Sequence, residues 1–336
     1  MDTLPWSWYT DPEILRVEQE RIFRHAWQYA GPAEHAAEPR TFLTCRAGDV
    51  PAVVVRDEGG VLRGFVNVCR HRGSVVAEGH GRRATLQCPY HAWTYGLDGE
   101  LRAAPRADRE TGFDASGLSL LPLAVDTWGP FVFVNPDTSA APLAETLGRL
   151  PELLPDVASL RFHHRSEYEL AANWKIACEN FLECYHCPVA HPGFSAVVDV
   201  DPDAYALEAH ETFWSQFARL RNDGDAPVGQ FHLVFPNLKL NVYPGPANLS
   251  IGPVLPAGLE RSAGYLDYFF PPDTGEDWIR DLTAFDDQVG REDAKLVESV
   301  QRGVRSGMIE RGHLLPESEQ LVAGFQRRLA EALQGK

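Results

Sequence analysis

The sequence predicts an α+β fold in two parts. A small antiparallel-β domain covers residues 39–136, and a helix-on-antiparallel-sheet domain covers residues 137–336. A helical segment at 1–38 is expected to pack on the second domain. Three observations carry this expectation. A chain of 336 residues exceeds what one small core organises. From about residue 40 to 135 the text breaks into short β-rich runs separated by Gly and Asp. Beyond residue 160, apolar strands and long helical stretches are mixed without the regular alternation of a parallel α/β fold.

Element by element, residues 11–30 place Ile14, Leu15, Val17, Ile22, Phe23 and Trp27 at helical spacing, which predicts one amphipathic helix ending before Gly31-Pro32. The runs PAVVVRD and VLRGFVNV flank Glu58-Gly59-Gly60 as a hairpin. Asp98-Gly99 after WTYGL gives a second hairpin, and GPFVFVNP at 129–136 is the last strand of the region. Residues 137–160 read as a connector with a short helix. A strand (HHRSEYEL) and a helix from Asn173 to about Cys187 follow. Two or three strands are expected within HLVFPNLKLNVYPG, NLSIGPVLPA and GYLDYFFPP. Helices at about 276–304 and 316–334 end the chain.

Composition narrows the function classes. Hydrophobic residues make up 44% and charged residues 23%, the balance of an ordinary globular protein. No run approaches the roughly 20 apolar residues of a membrane span. The N-terminal text lacks a basic region followed by an apolar core, so a cytoplasmic location is expected. A net charge of −16 argues against nucleic acid as a partner. Residues 61–109 are locally basic, with eight arginines (Arg63, Arg70, Arg72, Arg82, Arg83, Arg102, Arg106, Arg109) against Glu78, Asp98, Glu100 and Asp108. Such a region steers an acidic partner or is a solvated face. The six cysteines are expected to ligate metal or to be buried, not to pair in disulfides.

Two constellations carry chemistry. The first is Cys69-Arg70-His71-Arg72-Gly73, then Cys88-Pro89-Tyr90-His91. Two loops that each present one sulfur and one imidazole suit a [2Fe–2S] centre with thiolates on one iron and histidines on the other. A structural zinc is the alternative, though zinc sites usually pair Cys with Cys and His with His. The CRHRG and CPYHAW text resembles a Rieske domain. Respiratory-chain Rieske proteins carry a disulfide at the positions of Ser74 and Tyr90, and Ala92-Trp93 resembles the oxygenase type instead. The resemblance implies fewer hydrogen bonds to the sulfurs than in the respiratory type and a potential near the low end of the Rieske range, about −150 mV.

The second is Asn173-Trp174-Lys175 through Glu179-Asn180-Phe181, Glu183, Tyr185 and His186, followed by His191. On a helix Glu179, Glu183 and His186 share a face, and Pro188 would break the helix so that His191 curls back. Two histidines and a carboxylate form the facial triad of non-haem iron oxygenases. The segment resembles the catalytic domain of Rieske non-haem iron oxygenase alpha subunits, in which both histidines bind iron. The resemblance implies that Glu183 bridges to the cluster of a neighbouring subunit and that Asn180 and Tyr185 orient the ligands. The third ligand is matched to Asp293, with Glu292, Asp286 and Asp287 as competitors. Cys178, Cys184 and Cys187 read as small buried side chains, and His163, His164, His210, His232 and His313 as structural or surface residues. Tyr205, Phe213 and Trp214 are candidates for a substrate pocket or for core.

What the resemblance implies is an oxygenase, typically trimeric. It would take electrons from NAD(P)H through a separate flavin/iron–sulfur reductase or a ferredoxin docking near the basic region. Cys69, His71, Cys88 and His91 would hold the cluster, with the histidines at its exposed end, and His186, His191 and Asp293 would hold Fe(II). The ECYHC text is most similar to the branch that oxidises quaternary ammonium or N-methyl compounds. Aromatic-acid ring hydroxylation is the alternative. A Rieske electron carrier with an inactive second site is the reading from a different class.

Overall fold

A computed structural model describes residues 1–222 and 228–335. The chain separates into two compact units, Phe23–Thr146 and Met1–Ile22 with Leu147–Lys336. Both are built of antiparallel sheet with helices, so the fold is α+β.

The expected helix over 11–30 forms only in part. Asp11 caps α1 (Pro12–Glu18) by accepting from the Glu13 N–H, and a π-helical turn continues to Phe23. Gln28–Pro32 is instead strand β1, every residue of it buried. Strand pairing with a neighbouring apolar strand overrides the helical spacing here. The β unit therefore begins at Phe23 and not at residue 39.

In that unit follow β2 (Thr41–Ala47), β3 (Val50–Arg56), β4 (Leu62–Val66), β5 (His80–Arg82), β6 (Leu86–Gln87), β7 (Thr94–Tyr95), β8 (Leu101–Ala103), β9 (Pro122–Trp128) and β10 (Phe131–Asn135). One seven-stranded sheet runs β1-β10-β9-β4-β3-β2-β5, and β6-β7-β8 form a second. Strand β3 shows why PAVVV is a continuous apolar run. Val53 and Val55 pack with Phe42, Phe65 and Tyr95 on one face, and Ala52 and Val54 with Leu43 and Val132 on the other. The hairpins expected around Gly59-Gly60 and Asp98-Gly99 join β3 to β4 and β7 to β8.

The connector holds α2 (Leu143–Leu147) and α3 (Leu150–Leu153). In the larger unit, β11 (Arg161–Leu170) is followed by α4 (Trp174–Phe181), α5 (Cys187–Ala190) and α6 (Pro192–Val197). Strands β12 (Ala206–Ala209), β13 (Phe213–Ala218), β14 (Gly229–Val234), β15 (Leu238–Val242), β16 (Leu249–Gly258) and β17 (Arg261–Phe270) come next. Their sheet order is β11-β17-β16-β15-β14-β13-β12. The pair β12 and β13 was not anticipated. Helices α7 (Glu276–Arg305) and α8 (Gln320–Gln334) complete the unit.

The first 22 residues are locked to this unit by buried polar contacts. Glu18 and Lys175 are both fully buried and pair at 2.5 Å, and Glu18 also accepts from Trp174 Nε1 at 2.8 Å. Tyr9 donates to Glu179 at 2.7 Å, and Leu4 N–H donates to Gln326. No helix among the described residues is long and apolar enough to cross a membrane.

Candidate metal centres

The two Cys/His loops lie between β4 and β5 and between β6 and β7. They share one backbone turn. Cys69 N–H donates to Ser74 O and Gly73 N–H to Cys69 O, while Cys88 N–H donates to Trp93 O and Ala92 N–H to Cys88 O. The residue that closes each turn is left-handed, Gly73 at φ +76° and Ala92 at φ +57°. Cys69 and Cys88 are buried at 3% and 2% exposure, whereas His71 and His91 are exposed with ring centroids 4.6 Å apart. Trp93 stacks on His71.

The sulfurs are supplied with donors. The Tyr95 hydroxyl is 3.3 Å from Cys69 Sγ, and itself accepts from the Arg70 N–H. Burial raises the Cys88 thiol pKa, but the N–H groups of Tyr90 and His91, together with Cys69 and Ser74, lower it on balance. The expectation of fewer hydrogen bonds than in the respiratory type rested on Ser74, Tyr90 and Ala92-Trp93 and did not consider Tyr95. Tyr95 lies seven residues beyond Cys88, across the β6–β7 hairpin, where only the fold brings it back. Two buried, donor-rich thiols beside two exposed imidazoles fit a cluster with unlike ends.

The second centre lies in the larger unit. Helix α4 ends at Phe181, so Glu183 and His186 are presented by turns and do not share a helical face with Glu179. Glu179 instead faces Tyr9 and Gln326. Pro188 does not break a helix, since it stands in the first turn of α5. Tyr185 is 63% exposed, and only its backbone N–H reaches Glu183, which removes its expected orienting role. Cys184 and Cys187, expected as free thiols, are joined in a disulfide because the turn brings their Cα atoms to 4.9 Å.

His186 Nε2, His191 Nε2 and Asp293 Oδ1 converge, with separations of 3.1 Å between the nitrogens and 3.0 and 3.4 Å from the oxygen to His191 and His186. Donors held at ~2.1 Å on perpendicular axes of one ion lie about 3.0 Å apart, so the three fit a single metal. Glu183 Oε1 sits 2.5 Å from His186 Nδ1, and Glu292 Oε2 sits 2.8 Å from His191 Nδ1. Both carboxylates hold a proton on Nδ1 and leave Nε2 free for the ion. Burial depresses the His186 pKa, but Asp293 and Glu183 raise it to about 9. Burial raises the Asp293 carboxyl pKa, while the two histidines lower it to about 2. The site is built for a cation.

The competitors for the third position are occupied elsewhere. Glu292 is on the far nitrogen of His191, Asp286 accepts from Tyr243 and Tyr268, and Asp287 faces Ser166. Sequence reasoning weighed Glu292 only as a rival ligand. Its adjacency to Asp293 on α7 hid the fact that neighbouring helical residues reach opposite sides of one imidazole.

The three donors open on a cavity of about 530 Å³ lined by Asn180, Phe181, Tyr205, Phe231, Lys239 and Tyr243, among others. Of the three aromatics considered from sequence, Tyr205 lines it. Phe213 and Trp214 are buried on β13, with Trp214 packed on Phe325, and belong to the core. His232 is structural, bonded to Ser215 and Gln230.

This arrangement has counterparts among known proteins. The model of the ring hydroxylating alpha subunit (catalytic domain) matches residues 157–335, and that of the Rieske [2Fe-2S] domain matches residues 26–125. The chain belongs to the Rieske oxygenase alpha subunits. It is the catalytic subunit of a Rieske non-haem iron oxygenase, and its cofactors are a [2Fe–2S] cluster and a mononuclear iron. Among its relatives, the chloroplastic choline monooxygenase of Arabidopsis thaliana is 36% identical over 92% of this chain and 78% of its own. The carnitine monooxygenase oxygenase subunit of Acinetobacter pittii (strain PHEA-2) is 33% identical over 98% of this chain and 94% of its own. The crystal structure of the quaternary ammonium Rieske monooxygenase CntA superposes with a TM-score of 0.91 at 32% identity, covering 99% of this chain and 96% of the other. Further structures of CntA hold the substrates γ-butyrobetaine and L-carnitine.

Proposed function

We propose that this Rieske oxygenase is a monooxygenase that hydroxylates a quaternary ammonium or N-methyl compound beside nitrogen, releasing a methyl group as formaldehyde or cleaving a C–N bond. The observation that carries the reading is the convergence of three metal donors at the wall of an aromatic-lined cavity. A quaternary cation donates no hydrogen bond and is held by ring faces and diffuse negative charge, which Tyr205, Phe231 and Tyr243 with Asp286 supply. The relatives named choline and carnitine monooxygenase support the same substrate class.

In this reading Cys69 and Cys88 hold one cluster iron and His71 and His91 the other, while His186, His191 and Asp293 hold the mononuclear iron. The mononuclear iron supplies oxygen activation with electrons passed on from the cluster. Glu183 and Glu292 are positioning residues that fix the two imidazoles, and Asn180 lines the approach. The active form is a homotrimer, and Glu183 sits where the β unit of a neighbouring copy docks. Exposed Tyr185 and Val189 beside the iron ligands, and exposed Tyr90 beside His91, are the apolar surface that such a contact would cover. A reductase or ferredoxin docks at the arginine-rich face of residues 61–109, in the cytoplasm.

The test is an iron and acid-labile sulfide count on anaerobically purified protein, with NADH-dependent oxygen uptake on quaternary ammonium compounds. About three irons and two sulfides per chain, with coupled formaldehyde or aldehyde release, is the expected result. Two irons and no substrate-dependent uptake after added Fe(II) would remove the oxygenase assignment of the second centre. Glu183→Gln should keep both metals and the visible spectrum yet lose coupled turnover.

A further inference from the structure

Sequence identity does not separate a choline-type substrate, which carries a cation and an alcohol, from a carnitine-type one, which carries a cation and a carboxylate. The charges of the cavity do. Strand β15 alternates Leu238, Lys239, Leu240 and Asn241, and it sends Lys239 and Asn241 to the cavity while both leucines are buried. A charged residue between two core leucines of a central strand needs a partner. Among the described residues no carboxylate lies within ion-pair distance of Lys239 Nζ. It rests 4.9 Å from the ring centre of Tyr168 and 5.6 Å from that of Phe181. Burial lowers the pKa of this ammonium, and Tyr168 with Asp286 more than restores it, so the charge persists.

Beside it, the buried Tyr168 hydroxyl has Lys239 as its polar neighbour and donates to no acceptor among the described residues. It packs against Gly264, where a Cβ would stand 2.3 Å from the oxygen. Lys239 and Tyr168 are polar neighbours of each other and of no carboxylate, which leaves N–H donors of Lys239 and the Tyr168 O–H for an anion in the cavity. The cavity also carries the opposite charge. Asp286 is buried, accepts from Tyr243 at 2.5 Å and Tyr268 at 2.6 Å, and has no cation bonded to it. The wall therefore has a permanent dipole, positive at Lys239 and negative at Asp286.

We propose that Lys239, aided by the Tyr168 hydroxyl, anchors a substrate carboxylate, so that the cavity selects a quaternary ammonium carboxylate over a quaternary ammonium alcohol. The proposal rests on the ammonium-substrate reading above and adds the second charge. A zwitterion laid along the wall neutralises both ends, its ammonium group against the tyrosine rings that Asp286 backs and its carboxylate on Lys239. An alcohol such as choline leaves the Lys239 ammonium with no carboxylate bonded to it.

The experiment is calorimetric binding to the anaerobic, unreduced holoenzyme of γ-butyrobetaine, its methyl ester and choline, repeated with Lys239→Met and Lys239→Arg, with KM for oxygen uptake on the same compounds. The wild type should bind the acid about a hundredfold more tightly than the ester, as expected when one partner of a buried charge pair is deleted. Lys239→Met should erase that ratio by weakening the acid alone, and Lys239→Arg should restore part of it, with iron content and visible spectrum unchanged throughout. Equal affinity of the wild type for acid and ester, or equal weakening of all three ligands by Lys239→Met, overturns the proposal. If Lys239→Met does not fold, the wild-type ratio of acid to ester decides alone. The ammonium-substrate reading fails separately. In that case benzoate-type acids bind and turn over, quaternary compounds do not, and Lys239 is tested on the benzoate and its ester in the same way.

Discussion

The Glu18–Lys175 pair offers a direct measure of what holds the N-terminal segment. Both side chains are fully buried, and the two carboxylate oxygens serve different donors, Oε1 taking the Lys175 ammonium and Oε2 the Trp174 indole N–H. Glu18→Gln keeps size and shape but leaves one acceptor where two donors converge, and turns the amide NH₂ toward the other. It also strands the Lys175 charge. Removing one partner of a buried pair costs about 3–5 kcal/mol. For a unit of this size that lowers the melting temperature by roughly 6–20 °C. Glu18→Leu combined with Lys175→Met removes both charges and should recover most of the loss, since apolar replacement of a buried pair is often neutral. Urea unfolding followed by far-UV circular dichroism gives the three values. A Glu18→Gln variant within about 1 kcal/mol of wild type, or a double variant as damaged as the single one, would refute the reasoning.

Three further predictions address other parts of the molecule. Tyr95→Phe removes a hydrogen bond to Cys69 sulfur that favours the reduced cluster; at about 1–1.5 kcal/mol the potential should drop by roughly 45–65 mV, read by spectroelectrochemistry, and an unchanged potential would show that the hydroxyl does not act on the cluster. Ala92→Gly relieves a left-handed alanine worth about 1–2 kcal/mol, against about 0.5–1 kcal/mol of added chain entropy. The visible spectrum should therefore bleach at a slightly higher urea concentration, and earlier bleaching would contradict the strain. The third concerns pH. Burial lifts the Glu179 carboxyl to about 7, against hydrogen bonds from Tyr9 and Gln326 that pull it down. The folded state then holds a proton that the unfolded chain releases near pH 4.3. This contribution is whole below that pH and is lost as pH rises through 7, at most about 4 kcal/mol in all. Glu179→Gln should flatten stability between pH 5 and 7.5, and an unaltered slope would exclude Glu179 as its source.

Much of the fold was legible because the signals are local. The turn text at Gly59-Gly60 and Asp98-Gly99 marks hairpins, and the apolar stripe of residues 276–304 matches α7. The misreadings share a physical cause. The helix read over residues 11–30 from the stripe Ile14 to Trp27 carries on through residues 28–30, but pairing with β10 decides their state. Residues 182–186 extend a helical spacing that the chain abandons at Leu182, which misplaced Glu179 and Tyr185. The clustered donors His186 and His191 stand out because they are close in sequence. Glu292, Tyr95 and Lys239 act across distances in the chain that no local pattern reports. Lys239 did leave one trace, a charge inside the apolar run LKL, whose meaning only the cavity supplies.

The split of the larger unit between residues 1–22 and 147–335 sets an order of synthesis. On the ribosome, Glu18 emerges long before its partner Lys175, 157 positions later, and Leu4 waits for Gln326, 322 positions away. The β unit from Phe23 to Thr146 is complete meanwhile and can take shape first, as an insertion inside an unfinished neighbour. Contacts of such long separation make closure of the N-terminal strap a late and slow event. Until then Ile22, buried in the finished protein, lacks the rest of its unit, so the yield of folded chain should depend more on conditions late in synthesis than on those at its start.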